Sequence, residues 1–494
     1  MAAIITEKFR QHNADVFKDS FSSTTFYLFI GKSSPFSSAT SGGSDQSPPT
    51  PVDDVTREFY NWDSMLGAKI ISTSDVAFVI PRRDWANNTI YDMYEHDVSV
   101  SNPATSGATN LWESNFYFVT SENKVYKVLD NNGGAAYSGS EPTFETTAPV
   151  LSGGYILQYM YTLTTTEINK FKTTDFIPVS TNSTVSGDAV DGSIDALRIT
   201  TGSGYVDVAP NSGIYYAAID GDGTGGIVKL NIGSGGIADY GQGAAATEIF
   251  AAGSGYTYGT VDLTDVYTAS DLSGTSYDIT NGGVGTGGVC APIISPKGGH
   301  GFNAPVELGG HYVMVNAKLE ADEGSDITAA NDFREVGLLI DPYNVGTTTV
   351  ASASTVRQSY AIKFASAPGT DFEIDEKITQ SSTGAVGRVV EWDATNNILY
   401  YLQERWNEYG SVGDKYIAFS GNNAVTGASS GAVATPDTSS SPTVVLSNGS
   451  ITFASGYASP ELESNSGNII YIENRRPISR ATDQTEDIKI VVEF

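Results

Sequence analysis

Residues 460–494 read PELESNSGNIIYIENRRPISRATDQTEDIKIVVEF. Ile469, Ile470, Tyr471 and Ile472 form an apolar run of strand length, rich in β-branched and aromatic side chains. Asn474-Arg475-Arg476-Pro477 follows. Proline cannot donate to a sheet ladder, so the spacing predicts a break there. Ile488, Ile490 and Val492 then alternate with Lys489, Val491 and Glu493, the period of a half-buried strand. The stretch therefore reads as two strands joined by a polar connection, Ser479 to Asp487, with the terminus held in a sheet.

The rest of the chain extends that reading. Its 494 residues exceed what one core usually serves. Glycine numbers 52, charged residues are only 17%, and Tyr (27) and Phe (21) are plentiful, which fits a turn-rich β protein rather than a disordered one. The fold expected is mainly β and multidomain, with β-sandwich or barrel modules and a few short helices in the N-terminal block. Thr6–Ser20 reads as a helix with Phe9, Val16 and Phe17 as its apolar contacts. Asp53–Leu66 reads as a second, with Val55, Phe59, Trp62, Met65 and Leu66 on one face. Ser38–Pro51 is Ser/Gly/Pro-rich and reads as an exposed loop. Strands are expected at residues 25–30 (TFYLFI), 76–80, 115–120, 124–129, 155–163, 312–315 and 335–340.

From about Ser183 the texture changes. Gly202-Ser203-Gly204-Tyr205 recurs as Gly253-Ser254-Gly255-Tyr256. Gly221-Asp222-Gly223-Thr224-Gly225-Gly226 recurs as Gly283-Val284-Gly285-Thr286-Gly287-Gly288. Two motifs repeating in the same order indicate an internal duplication. Residues 183–292 thus read as one glycine-rich β insert built from two related units. Residues 293–345 return to core-like sequence. Residues 346–440 form a second insert, a small barrel or sandwich with strands at 359–364, 387–392, 398–401 and 415–419. Residues 1–182 and 441–494 are expected to pack together as one framework.

The formal net charge of −30 repels phosphate backbones, so nucleic-acid binding is disfavoured and partners with basic patches are favoured. Cys290 is the only cysteine, which excludes an intrachain disulfide and a Cys-based zinc site. The N-terminus, MAAIITEKFRQHNADVF, has charges where a signal peptide needs an apolar run, and no stretch approaches membrane-spanning length.

No motif points to catalysis, a metal or a cofactor. Asp220-Gly-Asp222-Gly-Thr224 has the spacing of an early calcium loop, but Asn231 stands where the bidentate Glu belongs. His300 and His311 lack a third ligand at short spacing and are read as satisfied or surface histidines. Arg82 and Arg83 stand in VIPRRDW (Val79–Trp85) without a phosphate loop, so an Arg cluster pairing with carboxylates is the better reading. In so acidic a chain Arg82, Arg83, Trp85, Arg475 and Arg476 are the candidate interface residues. Pro81 fixes the exit from the preceding strand. Arg82 is expected to serve the chain's own framework and Arg83 to face a neighbour.

Residues 460–494 and VIPRRDW, with Phe26–Pro35 (FYLFIGKSSP), Gly154–Leu163 and Phe176-Ile177-Pro178, resemble the baseplate wedge proteins of T-even-like contractile-tailed bacteriophages. Asn331–Gly337 resembles them more faintly. The resemblance covers two blocks, roughly 4–180 and 460–494, and leaves 183–292 and 346–440 as insertions. It implies a non-enzymatic structural subunit of the virion, mostly β, placed in the tail baseplate after assembly in the host cytoplasm. It also implies a homodimer that binds other baseplate wedge subunits, and no membrane or small-molecule partner. The competing reading is a tail adhesin or glycan-degrading spike, since paired carboxylates are easily hidden among 57 acidic residues. Such spikes are typically repetitive β-helices, and this chain has only local duplications.

Overall fold

The computed structural model describes residues 5–37, 42–208, 213–233, 235–238, 240–241, 246–404, 416–446, 449–481 and 483–494. It is mainly β, with 39% strand and 11% helix spread over many sheets. The chain forms two compact units, each assembled from separated stretches. One comprises residues 1–15, 77–314 and 491–494, the other residues 16–76 and 315–490.

In the second unit a five-stranded antiparallel sheet runs in the order Thr355–Arg357, Met65–Ile71, Phe26–Gly31, Phe333–Ile340, Asn468–Ile478. The Phe26–Gly31 strand is buried along its whole length, as its unbroken apolar run requires of a strand covered on both faces. Gly337 opposes Phe29 in the register, and a Cβ there would collide with the Phe29 ring. The Val55–Ser64 helix starts at Asp54, whose carboxylate accepts the Arg57 amide at 2.8 Å. It lays Trp62 into a core with Tyr27, Phe29, Met65 and Leu339. The helix is shorter than Asp53–Leu66. Met65 turns extended and opens the strand Met65–Ile71, because Met65 and Leu66 are buried by sheet pairing rather than on a helix face.

The predicted break at Asn474–Pro477 does not occur, since the strand runs through it to Ile478. Asn474 pairs with Glu335 and Ile478 with Phe333, so Arg475-Arg476-Pro477 bulges out of the ladder, where a missing proline donor costs nothing. A seven-stranded sheet in the same unit, including Lys377–Gln380, Ala385–Asp393, Ile398–Leu402 and Tyr360–Lys363, encloses Ile362, Phe364, Val389, Leu399 and Tyr401. The expected strand at 415–419 is corrected. Lys415 lies outside the described residues, and Tyr416–Phe419 forms no strand, although Phe419 is buried edge-on to Tyr401 at 4.8 Å. Part of the expected loop 38–51, residues 38–41, also lies outside the described residues.

In the first unit the strands Tyr117–Val119, Lys124–Asp130, Tyr155–Thr162 and Val150–Ser152 form a four-stranded sheet over an aromatic core. That core includes Phe116, Phe118, Tyr126, Tyr137 and Tyr155. The Glu7–Ser20 helix buries Gln11 and Ala14 and leaves Phe9 (53%) and Val16 (55%) exposed. The apolar contacts expected of those two are corrected. Seven residues apart, they share one stripe of the helix, and it faces outward.

The duplicated module folds between two paired strands, Ile194–Thr200 and Val289–Ile294. Its two copies exchange their parts. The Tyr205 hydroxyl of the first copy accepts the Gly288 amide of the second, and the Tyr256 hydroxyl of the second accepts the Gly226 amide of the first. Ser203 bridges Thr286, and Ser254 pairs with Thr224. Gly202 and Gly253 both hold φ +63, and a Cβ at either would meet the backbone of Gly288 or Gly226.

Candidate functional site

The VIPRRDW corner lies in the first unit. The strand Val76–Pro81 ends where Pro81 pairs with Phe176, and the Tyr117 hydroxyl donates to the Pro81 carbonyl at 2.8 Å. The next residues run extended beside Val119. Val119 N donates to Arg83 O, and Trp85 N donates to Val119 O, both at 2.8 Å. In extended chain, successive side chains point to opposite sides. Arg82 and Asp84 share the outer side and form an ion pair at 2.8 Å, and Arg82 Nη1 also donates to Thr173 O at 3.1 Å. Arg83 and Trp85 turn inward.

Arg83 is engaged within its own unit. Its guanidinium donates to Ser114 O and, at 3.1 Å, to Trp112 O, and it lies 4.3 Å from the centre of the Tyr117 ring. Burial pulls its pKa down from the usual arginine value, while Tyr117 and Asp92 oppose the shift. Trp85 stands edge-on to Tyr137 at 5.8 Å, and its buried Nε1 has no hydrogen-bond partner among the described residues. Arg475 and Arg476 are exposed on the bulge of the second unit, Arg475 pairing with Glu473 at 2.9 Å. The five candidates thus fall in different units, two at this corner's interior, one at its surface and two on a bulge.

The other chemistry-bearing residues are engaged within the fold. Asp222 accepts the Thr257 amide at 2.8 Å and the Thr257 hydroxyl at 2.5 Å, and these bonds bring its pKa down to about 2. The carboxylate of the would-be calcium loop is thus an anchor for the neighbouring copy. His300 Nδ1 lies 2.7 Å from Lys127 Nζ, while the His311 carbonyl accepts the Phe494 amide at 3.2 Å. Among the described residues no group of three His, Cys, Asp or Glu is placed to hold a metal.

A deeply buried ionic group had no signature in the sequence. Lys127 and Glu307 form an ion pair with side chains 0% and 2% exposed, and the Lys127 ammonium also lies 4.8 Å from the Tyr94 ring centre. Glu307 Oε1 accepts the amides of Gly301 at 2.7 Å and Asn303 at 3.3 Å. Burial lowers the pKa of Lys127 against the pull of Glu307, and burial with Lys127 beside it keeps His300 neutral. The group is enclosed, with Lys127 and Glu307 paired and His300 Nε2 left without a hydrogen-bond partner among the described residues, which fits a structural tie rather than a reaction centre.

Comparison with known proteins bears on the two ends of the chain. The family model described as Bacteriophage T4, Gp8 matches residues 3–134 and 447–494. A 114-residue stretch is 34% identical to the baseplate wedge protein gp8 of Enterobacteria phage T4, covering 22% of this chain and 34% of that protein. The chain thus spans about a third of the length of the relative it matches. VIPRRDW and residues 460–494 lie inside the matched segments; Gly154–Leu163, Phe176–Pro178 and Asn331–Gly337 lie outside them. Both ends of the chain are thus similar to the family described as Bacteriophage T4, Gp8.

Proposed function

We propose, from the wedge-family sequence at both ends, that this chain is a structural subunit of a contractile-tail baseplate wedge. It assembles in the host cytoplasm and remains in the virion. One observation carries the reading. The matched segments are separated by residues 135–446, yet both supply strands to one sheet, Phe26–Gly31 and Asn468–Ile478 flanking Phe333–Ile340. Matched segments from both ends that meet on one shared strand support a folded framework rather than a borrowed fragment. Residues 1–182, 293–345 and 441–494 are accordingly the framework, and 183–292 and 346–440 are insertions. The relative's baseplate role supports a non-enzymatic protein. Nothing favours the adhesin or glycan-degrading alternative.

The partners are other wedge subunits and a second copy of the chain. The outward stripe of Phe9 and Val16 suits an apolar dimer contact. Arg82, Arg475 and Arg476 are candidates for polar contacts with partners, while Arg83 and Trp85 hold the corner from inside. The deciding experiment is a cryo-EM map of intact tails. Density for this chain in the baseplate is expected, and its absence from the baseplate refutes the reading. Light scattering of the purified chain decides the dimer separately.

A further inference from the structure

The unit formed by residues 16–76 and 315–490 carries a groove between the Val55–Ser64 helix and the Asn468–Ile478 strand. Two cavities of about 370 and 240 Å³ open side by side there, sharing Pro51, Val52, Asn61 and Ile472. The outer cavity has Ile469–Ile472 as its floor and Asp53, Asp54 and Glu58 along its rim. The inner one ends on Lys32, Tyr60, Glu335 and Asn474. Two acceptors there have no hydrogen-bond partner among the described residues. They are Glu335 Oε1, on a residue only 5% exposed, and Asn474 Oδ1. The nearby Lys32 ammonium already donates to Ser34, and Arg57 lies 5.9 Å from the Tyr60 ring centre.

We propose that this groove receives a basic and apolar segment of another wedge protein. An arginine or lysine of that segment enters the inner cavity to reach Glu335, and an aliphatic side chain covers Ile470. The inference rests on the wedge reading and specifies the partner's chemistry. Orphaned acceptors call for a donor, and opposite a carboxylate the guanidinium and ammonium groups, which only donate and carry positive charge, fit best. The rim carboxylates complement the same charge. Val52 (54% exposed), Val55 (75%) and Ile470 (43%) supply apolar area to cover. Burial pushes the Glu335 carboxyl up to about 7, with Lys32 opposing and Glu404 reinforcing the shift, so an arriving cation also relieves an unfavourable charge. The partner enters by side chains and not as an added strand. Ladder irregularities at Ile470 and at Arg475–Pro477 interrupt the edge that an added strand needs. Both matched segments build the groove, residues 51–61 from one and 469–474 from the other.

The test uses the full-length chain and two fluorescent peptides, Arg-Leu-Arg-Leu-Arg and Glu-Leu-Glu-Leu-Glu, followed by anisotropy at pH 8. The basic peptide binds and the acidic one does not. Glu335→Gln and Ile470→Ser each weaken binding about tenfold or more, the loss expected when one charge or anchor contact goes. Val100→Ser, at an exposed residue outside the groove, leaves it unchanged. Ile470 is half exposed, so that variant keeps the test alive if Glu335→Gln fails to fold. Equal binding of both peptides, no binding, or binding indifferent to both substitutions overturns the proposal. So does loss of self-association in Ile470→Ser, which assigns the groove to a second copy. If the chain is present in baseplates yet does not take the basic peptide, the groove proposal falls and the wedge reading stands. If the chain is absent from baseplates, the wedge reading falls whatever the peptides do.

Discussion

Tyr205 accepts the Gly288 amide at 3.1 Å, and Tyr256 accepts the Gly226 amide at 3.0 Å, so each tyrosine of the duplicated module seals the glycine loop of the other copy. Both phenol rings are buried, at 4% and 3% exposure, and lie where Cβ atoms of Gly285 or Gly223 would stand. The expected result is crossed. Tyr205→Ala should raise amide hydrogen exchange at residues 283–288, and Tyr256→Ala at 221–226. Each leaves its own copy's loop less affected. Each should cost about 3–5 kcal/mol, as for a large aromatic removed from a core. Phenylalanine should cost about 1 kcal/mol at Tyr205 and about 2 kcal/mol at Tyr256, whose hydroxyl also donates to Ile219 O at 3.2 Å.

Arg82 and Arg83 should separate in urea melts. Arg83→Ala leaves the Ser114 and Trp112 carbonyls without their guanidinium donor and uncovers the Tyr117 ring, a loss of about 2–4 kcal/mol. Arg83→Lys should recover little, because an ammonium cannot span two carbonyls and a ring face. Arg82→Ala removes a partly exposed pair and should cost less than about 1 kcal/mol. Equal losses at the two positions would contradict the inward placement of Arg83.

Glu335 makes stability depend on pH. Its folded-state pKa, about 7, lies above the ordinary carboxyl value of 4.5. The folded form therefore holds its proton while the unfolded form releases it, so stability is fullest below about 4.5 and declines as pH rises towards 7. The difference corresponds to at most about 3 kcal/mol. Glu335→Gln should remove that decline, leaving the variant more stable than the parent at pH 8 and similar at pH 4.5. Chemical denaturation at the two pH values checks the sign.

The Lys127–Glu307 pair should behave as a unit. Lys127→Met strands a buried carboxylate and should cost about 3–5 kcal/mol. Adding Glu307→Gln to it should restore part of that loss, because an uncharged amide is cheaper to bury. A double-mutant cycle with no coupling would show that the two charges are not paired in solution.

Several elements whose reading depended only on neighbours in sequence were legible. TFYLFI announced a strand buried on both faces, and Pro81 announced its own exit point. What depended on distant partners was not. In KVYKVLD, Lys127 looks like a solvent-facing residue of an alternating strand, and only Glu307, 180 positions away, makes its burial tolerable. The glycine motifs were visible as a duplication, but that each tyrosine crosses to the other copy is a long-range choice. Helix faces were also misjudged, because Phe9 and Val16 are apolar by composition yet are not covered by their own chain. At the candidate interface the residue types were legible, but which arginine pointed outward was not. That is decided by one step of strand alternation, and sequence spacing does not fix its phase.

The pairing of Ile194–Thr200 with Val289–Ile294 brings the beginning and end of the duplicated module side by side. A polypeptide that leaves and re-enters its host at neighbouring points asks the host for no rearrangement, because the gap to be bridged is one strand spacing however long the excursion. The module is in this sense a cassette. It can be lengthened, exchanged or lost in descent while the surrounding unit keeps its strands in register. Its two copies are different. They complete each other around a cycle of two, so half of the cassette is a fragment with an open face.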